Sequence, residues 1–316
     1  MPRALRQCKK VKFPLRAESQ DPAVLALPTE QANPASTEID ALDTVGILQT
    51  IHAQDAAVPA AVVAEIPVIA KAVEAVVRAL QRGGRLIYVG AGTSGRLGVM
   101  DAAECPPTFG VSPHTVQALI AGGQPALTEA AEKAEDDEAA GRRDIAARKV
   151  GPRDVVVGLT ASGQTPYTVA ALRYARSRRA TTVAVTGNPG SPITRAAHIS
   201  IVPATGPEVV AGSTRMKAAL AQKMVLHMIS TAAMIRLGHV YRNYMVGVRP
   251  ANNKLMGRAC AIIEDITGVD HPTAARTLQQ ANKDVKLAVT MLRTGLDRAA
   301  AARLLSRCGG NLRAIP

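Results

Sequence analysis

The sequence predicts an α/β fold: a parallel-sheet α/β sandwich, with flanking helices on its N-terminal side and a small helical domain at its C-terminal end. Three observations lead there. Short apolar runs alternate with stretches of helical periodicity between about residues 86 and 202, the pattern of parallel βαβ units. Apolar residues make up 47% of the chain, but aromatics only 2%, and tryptophan is absent. A core of Ala, Val, Leu, Ile and Met suits helices packed on a parallel sheet better than an all-β sandwich. Two of the predicted strands also end in loops rich in Gly, Ser and Thr. Ligands of open α/β sheets sit at those carboxyl ends.

The elements follow in order. Residues 1–28 read as a basic, flexible leader. Arg3, Arg6, Lys9, Lys10, Lys12 and Arg16 all precede the first acid, Glu18, and no long apolar run of a secretory signal is present. The polar, turn-rich stretch Thr29–Asp40 comes next, then helical patterns over roughly 41–54 and 59–82. Strands are predicted at Leu86–Val89, Val116–Ile120, Val155–Leu159, Thr182–Val185 and Ile199–Val202. Helices are predicted from about Ser94, over 125–148, and from Pro166 to about Arg178. A long helix from about Ser213 to Arg236 closes this part. Residues 29–248 are therefore assigned to one α/β domain with its N-terminal helices. Residues 249–316 form a helical domain, its turns marked by Gly268, Gly295 and Gly309-Gly310.

Composition excludes several classes. Cys8, Cys105, Cys260 and Cys308 are scattered and form no CxxC pair, so neither a zinc site nor a disulfide framework is indicated. A reducing cytoplasm is the expected compartment. The net charge of +13 invites a nucleic-acid reading. Part of it belongs to the leader, and the other basic residues are dispersed without interleaved aromatics, so no nucleic-acid platform is expected. A basic surface also attracts acidic sugar phosphates. No apolar stretch reads as long and clean enough to span a membrane.

The densest chemistry lies between Gly90 and Gly110. The apolar run Leu86–Val89 feeds Gly90-Ala91-Gly92-Thr93-Ser94-Gly95. A helix starting there would offer unpaired N–H groups, the positive end of its dipole and two hydroxyls to a phosphate. Gly92, Thr93, Ser94 and Gly95 are the candidate cradle; a purely structural tight turn is the alternative. A dinucleotide fingerprint lacks its acidic residue about 20 positions on, and Arg96 stands where a P-loop needs Lys-Ser/Thr. Glu104, just before Cys105-Pro106-Pro107, is a candidate acid or base. The third predicted strand ends in Thr160-Ala161-Ser162-Gly163-Gln164-Thr165-Pro166. Ser162, Gly163 and Thr165 either join the phosphate site or cap the next helix, and the two uses are compatible. Cys105 reads as a small buried residue, and His198 as a residue preceding an inner strand.

These segments resemble the sugar isomerase (SIS) domain and, more closely, the N-acetylmuramic acid 6-phosphate etherase family. The resemblance is carried by Thr29–Asp40, Gly84–Arg96, Asp101–Gly110, Ala121–Gly123, Val155–Tyr167, Gly187–Ser191, Glu208–Lys217 and Asn252–Leu255. Glu104-Cys-Pro-Pro-Thr and Gly212-Ser-Thr-Arg-Met-Lys are its most specific parts. It implies cleavage of the lactyl ether of N-acetylmuramic acid 6-phosphate to N-acetylglucosamine 6-phosphate and D-lactate, by elimination then water addition, in cell-wall amino sugar recycling. No metal or other cofactor is implied. Glu104 matches the family's proton donor to the ether oxygen, and Glu135 its second carboxylate. Alone, Glu135 among Glu132, Asp136, Asp137 and Glu138 would read as a solvated helix face. Lys254 would bring a cation over the substrate from the helical domain. Two positions depart from the family pattern: Gly247 stands where Asp is usual, and Asn252 follows Pro250-Ala251 in place of Ala-Thr.

Two other readings share the motifs. One is a non-catalytic sugar-phosphate sensor resembling glucokinase regulatory protein, which has two SIS domains where this chain holds one. The other is a phosphosugar isomerase. A homodimer is also expected. Ten residues of unbroken helix put Ser94 and Glu104 about 15 Å apart along its axis, a long reach for one hexose phosphate. Either a two-fold neighbour supplies Glu104, or the helix ends before Cys105 and folds Glu104 back.

Overall fold

Five runs rich in Val, Ile and Leu pair as strands. They are β1 (Leu86–Gly90), β2 (Val116–Ile120), β3 (Val155–Leu159), β4 (Thr181–Val185) and β5 (Ile199–Ile201), parallel throughout in the order β2-β1-β3-β4-β5. This architecture comes from a computed structural model that describes residues 27–250 and 252–315. The leader up to residue 26, with Cys8, lies outside the described residues. β1 and β3 are buried along their whole length, as expected of central strands covered on both faces.

Alternation along β1 distributes its side chains to two cores. Leu86 and Tyr88 face α3 (Ile66–Gln81), α4 (Gly92–Phe109) and α9 (Lys217–Arg236). Ile87 and Val89 face α6 (Glu138–Ala147), α7 (Pro166–Ser177) and α8 (Pro192–Ala196). The chain leaves β1 through α4 to β2 on one side, then returns to β3 on the other. The carboxyl ends of β1 and β3 therefore flank the topological switch point, where such sheets open a crevice. Gly95 lets α4 start tight against the sheet: a Cβ there would stand 2.6 Å from Ile120 Cγ1 and 2.8 Å from the Gly90 carbonyl.

The structure refines the predicted elements. The pattern over 41–54 is α1 (Thr44–Asp55), and that over 59–82 divides into α2 (Val58–Ala64) and α3. Pro67 cannot continue the first helix and instead occupies the first turn of the second. The stretch 125–148 divides into a 3-10 turn (Gln124–Leu127), the single turn α5 (Glu132–Glu135) and α6. The long helix begins at Lys217, where the buried Glu208 caps it by accepting from the N–H groups of Lys217 and Ala218, both at 2.9 Å. His198 precedes β5, which is an edge strand and not an inner one. α4 does not end before Cys105. It continues through Pro106 and Pro107 to Phe109 and closes on left-handed Gly110. Burial of Cys105 and Phe109 in the core offsets the backbone bonds that the prolines cannot make.

Among the described residues one helix, α9, has the length and apolarity to cross a membrane by composition alone, contrary to the sequence expectation. It buries Val225, Leu226, Ile229 and Met234 against the sheet, which accounts for its hydropathy.

The C-terminal helices are α10 (Asn253–Thr267), α11 (His271–Gln280), α12 (Val285–Thr294) and α13 (Arg298–Arg307). Each starts on a side-chain cap: Asn252, Asp270, Asp284 and Asp297 accept backbone N–H groups of the first turn. Gly268 and Gly295 end two of them in the left-handed conformation. Their own apolar core includes Ile263, Leu278 and Val289, with Val246 and Val248 from the incoming segment.

Candidate active site

A cleft of about 370 Å³ lies at the carboxyl ends of β1 and β3. From the first loop it receives Gly92, Thr93 and Ser94, and from the second Thr160, Ser162 and Thr165. Ala91, the N-cap of α4, has no side-chain capping bond. The first N–H groups of a helix have no partner within it, so those of Gly92, Thr93 and Ser94 are available where the dipole is positive. On the other loop, the hydroxyls are held in a small network. Thr160 Oγ1 lies 2.8 Å from Thr165 Oγ1 and 3.3 Å from Ser162 Oγ. Thr165 makes no side-chain cap bond to α7, while Ser162 Oγ accepts from Gln164 N–H at 3.2 Å. Gly163 and Gly95 do not line the cleft. Both are buried beneath it; Gly163, at φ 75°, packs closely on Ser191.

Glu135 enters this same cleft. Glu132 of the same short helix also reaches the cleft, and the break between α5 and α6 leaves Asp136, Asp137 and Glu138 outside it. Its carboxylate rests on Gly92: a Cβ built there would stand 2.8 Å from Glu135 Oε1, and the backbone is left-handed at φ 49°. Glycine is therefore required at 92 for both reasons. Burial pushes the Glu135 carboxyl above its usual value, and Asp136 and Glu132 add to the effect, while Arg96 opposes it. Arg96 also fixes the approach. Its guanidinium donates to the carbonyls of Leu127 at 3.1 Å and Glu129 at 2.8 Å, tying the first turn of α4 to the segment that leads into α5.

Glu104 is elsewhere. It is exposed on the far part of α4, in a separate crevice of about 200 Å³ with Met100, Lys223 and His227. His227 Nδ1 lies 2.7 Å from the Lys223 carbonyl and 3.5 Å from Lys223 Nζ. The floor is polar and buried. Asp101 Oδ2 accepts from Tyr88 OH at 2.8 Å, and Ser230 donates to Oδ1 at 3.2 Å. Beside it the buried Cys105 thiol is pushed up to about 12 by desolvation and then by Asp101 and Glu104. A thiol so held stays neutral and is a poor nucleophile. Lys254 is exposed at the start of α10 and lines neither crevice. Within one chain, then, the fold unites Glu135 with the phosphate-type loops and leaves Glu104 and Lys254 apart. Among the described residues no cluster of His, Cys, Asp or Glu is arranged to hold a metal ion.

Several lining residues carried no individual signal in the sequence. Glu30 and Thr214 reach the cleft because the N-terminal segment is stitched to the loop before α9. Asn33 Nδ2 donates to the Pro207 carbonyl at 3.0 Å, Ser36 to that of Val209 at 2.8 Å, and Asn188 Nδ2 to Thr29 Oγ1 at 2.9 Å.

The fold, with a crevice at the carboxyl ends of its strands, is that of a SIS-type α/β protein. The family profile for the glucokinase regulatory protein N-terminal SIS domain matches residues 68–176, and that for the SIS domain matches residues 123–232. A phosphoheptose isomerase from Francisella tularensis superposes with a TM-score of 0.50 at 18% identity, over 61% of this chain and 98% of that one. The N-acetylmuramic acid 6-phosphate etherase of Salmonella dublin is 51% identical over 288 residues, 91% of this chain and 97% of that protein. N-acetylmuramic acid 6-phosphate etherase 1 of Bacillus licheniformis is 50% identical over 287 residues, 91% of this chain and 94% of that protein. The chain belongs to the N-acetylmuramic acid 6-phosphate etherase family.

Proposed function

We propose that this chain opens the lactyl ether of N-acetylmuramic acid 6-phosphate, releasing D-lactate and N-acetylglucosamine 6-phosphate in amino sugar recycling. The observation that carries the proposal is the shared cleft: a half-buried carboxylate of raised pKa lies against a loop suited to phosphate. Gly92, Thr93, Ser94, Ser162 and Thr165 receive the phosphate. Glu135 then stands as base toward sugar carbon 2, whose proton is acidified by the neighbouring open-chain aldehyde. Glu135 takes that proton, and the electron pair passes toward the aldehyde. Glu104 protonates the ether oxygen as the bond from carbon 3 breaks, and D-lactate leaves. Water adds to carbon 3 of the unsaturated aldehyde, a proton returns to carbon 2, and the product forms. Each proton transfer of this kind contributes about 10²–10⁴-fold. Every step moves a proton or water, so the scheme calls on no cofactor.

The separation of Glu104 from Glu135 supports a homodimer in which each cleft receives Glu104 from the partner. α4 is one continuous helix from Gly92 to Phe109, which removes the alternative of a folded-back Glu104. The chain also presents apolar surface suited to a second copy. α1 buries no residue at all, and Leu42, Val45 and Leu48 are exposed. Met100, in the crevice of Glu104, is exposed as well. A reducing cytoplasm suits the free thiols of Cys105, Cys260 and Cys308.

The test is incubation with N-acetylmuramic acid 6-phosphate in deuterated water, following D-lactate and exchange at carbon 2. Wild type is expected to release D-lactate. Glu104→Gln stops release but keeps exchange, and Glu135→Gln depresses both. A folded wild-type protein that binds the substrate without releasing D-lactate rejects the etherase reading in favour of a sensor. Aldose–ketose interconversion without D-lactate would instead indicate an isomerase.

A further inference from the structure

A second cavity, of about 580 Å³, lies between the end of α4 and the C-terminal helices. It shares Phe109 with the wall of the Glu104 crevice, but no step of the proposed reaction uses it. Its size is within the range of sites for small organic ligands.

Its charge is one-sided. Arg249, Lys283, Lys286 and Arg298 line it, with His239. The single acid on the wall is Asp284, and its Oδ1 is engaged at 3.0 Å by the Leu287 N–H as the cap of α12. Among the described residues, none of the four cations forms an ion pair with a carboxylate. Lys286 Nζ has a carbonyl partner, Gly310 O, at 3.1 Å. Burial holds Lys286 below the usual lysine value, with Asp284 partly opposing it. A bound anion would relieve that cost.

The remaining wall is apolar and tightly built. Phe109, Val248 and Leu287 contribute to it. Gly247, the position that departs from the family pattern, lets the two chain segments meet: a Cβ there would collide with the Phe109 carbonyl. His239 Nδ1, 2.8 Å from the same carbonyl, ties the other side. Lys283 and its neighbour Asn282 are held in the left-handed region, at φ 62° and 53°. Such strain in a bulky residue needs support from its surroundings and gathers at ligand clamps.

We propose that this cavity is a second organophosphate site, taking a hexose phosphate with its phosphate among Arg249, Lys286 and Arg298 and its sugar body against the apolar wall. Cations without a carboxylate partner suit a phosphate, and the apolar wall and volume suit more than a bare ion.

Calorimetric titration with glucose 6-phosphate and, separately, with inorganic phosphate tests this. The Ser94→Asp variant places a like charge in the catalytic cleft and leaves this cavity intact. It is expected to bind glucose 6-phosphate saturably, one per chain. Adding Arg249→Gln, Arg298→Gln or Lys286→Gln is expected to weaken that binding at least about tenfold, the scale of one charge-assisted hydrogen bond. Arg249 and Arg298 are exposed, so their variants keep the test readable should Lys286→Gln fail to fold. Inorganic phosphate is expected to bind about tenfold or more weakly than glucose 6-phosphate. If Ser94 plays no part in the catalytic cleft, the Ser94→Asp variant shows two sites, and the one lost with Arg249→Gln and Arg298→Gln is this cavity. Absence of saturable binding to Ser94→Asp overturns the proposal. So does affinity unchanged in Arg249→Gln and Arg298→Gln, or equal affinity for inorganic phosphate.

Discussion

Replacing Gly92 by Ala tests how closely the proposed phosphate loop and the proposed base, Glu135, are coupled. The new Cβ would stand 2.8 Å from Glu135 Oε1. Ordinary contact for a carbon begins near about 3.5 Å, so the carboxylate must retreat by roughly 0.7 Å. The Glu135 carboxylate is the far end of a flexible side chain in the half-buried cleft and can yield at small cost to the fold. The backbone is a separate matter. At φ 49° an alanine costs about 1–2 kcal/mol relative to glycine, which lowers Tm by a few degrees in a chain of this size. Misplacing a reacting group by about 1 Å costs on the order of 10²-fold, so carbon-2 exchange should fall about 10- to 100-fold. The assay is deuterium incorporation at carbon 2, read beside D-lactate release and the thermal transition. A folded Gly92→Ala protein that exchanges within twofold of wild type would refute the placement of Glu135 as base against this loop.

Arg96→Gln removes the cation that holds down the Glu135 pKa. As the proposed base, Glu135 works ionised, so activity is expected to rise with pH through a pKa above the usual carboxylate range, and in Arg96→Gln that rising limb of kcat/KM moves to higher pH; a limb that stays in place would show that Arg96 does not face Glu135. Stability has the matching sign. The fold holds the Glu135 proton more tightly than the unfolded chain, so this contribution is full below the usual carboxylate pKa and lost as pH rises through the raised one. Urea unfolding of Glu135→Gln should accordingly show a flatter pH dependence than wild type in that window. Asp154→Asn should cost about 2–4 kcal/mol in denaturant unfolding. Asp154 is buried and bridges Arg85, at 2.8 Å from Nη2, to the Gly151 N–H at 2.9 Å. Burial opposes ionisation of this carboxyl, but the Arg85 and Gly151 bonds outweigh it and hold its pKa low. Its stabilisation is thus present above the usual aspartate value and lost as pH falls through the lowered one; a loss under about 0.5 kcal/mol in Asp154→Asn would contradict the role given to the pair.

The sheet was legible in the sequence because parallel strands covered on both faces are continuous runs, as in Val155-Val156-Val157, and carry their own boundaries. The loops were legible because only glycine fits the turn at 92 and the close approach at 95. Helix breaks were harder to read. Those at Glu65 and at Asp136-Asp137 depend on packing and on a proline in a first turn, and local periodicity runs through them. Glu135 shows the cost: by composition it belongs to a solvated acidic face, yet it lines the cleft while Asp136, Asp137 and Glu138, beyond the end of α5, do not. The double proline had the opposite effect. It suggests a helix end, yet α4 continues, because burial of Cys105 and Phe109 offsets the missing bonds. Glu30 and Thr214 were illegible as individuals, since their place follows from hydrogen bonds between segments more than 170 residues apart, such as Ser36 to Val209.

The proposed assembly of the site from two chains is tested most directly by subunit mixing. Ser94→Asp is expected to disable the proposed phosphate loop, and Glu104→Gln the proposed acid. In a mixed dimer with shared sites, the Ser94 of one chain meets the Glu104 of the other, and one composite site is intact. Random exchange makes half of the dimers mixed, so D-lactate release should recover to about a quarter of the wild-type rate. Release that stays at the level of the two parent variants, with exchange of subunits verified by mass, would contradict the shared site and place all of the chemistry within one chain.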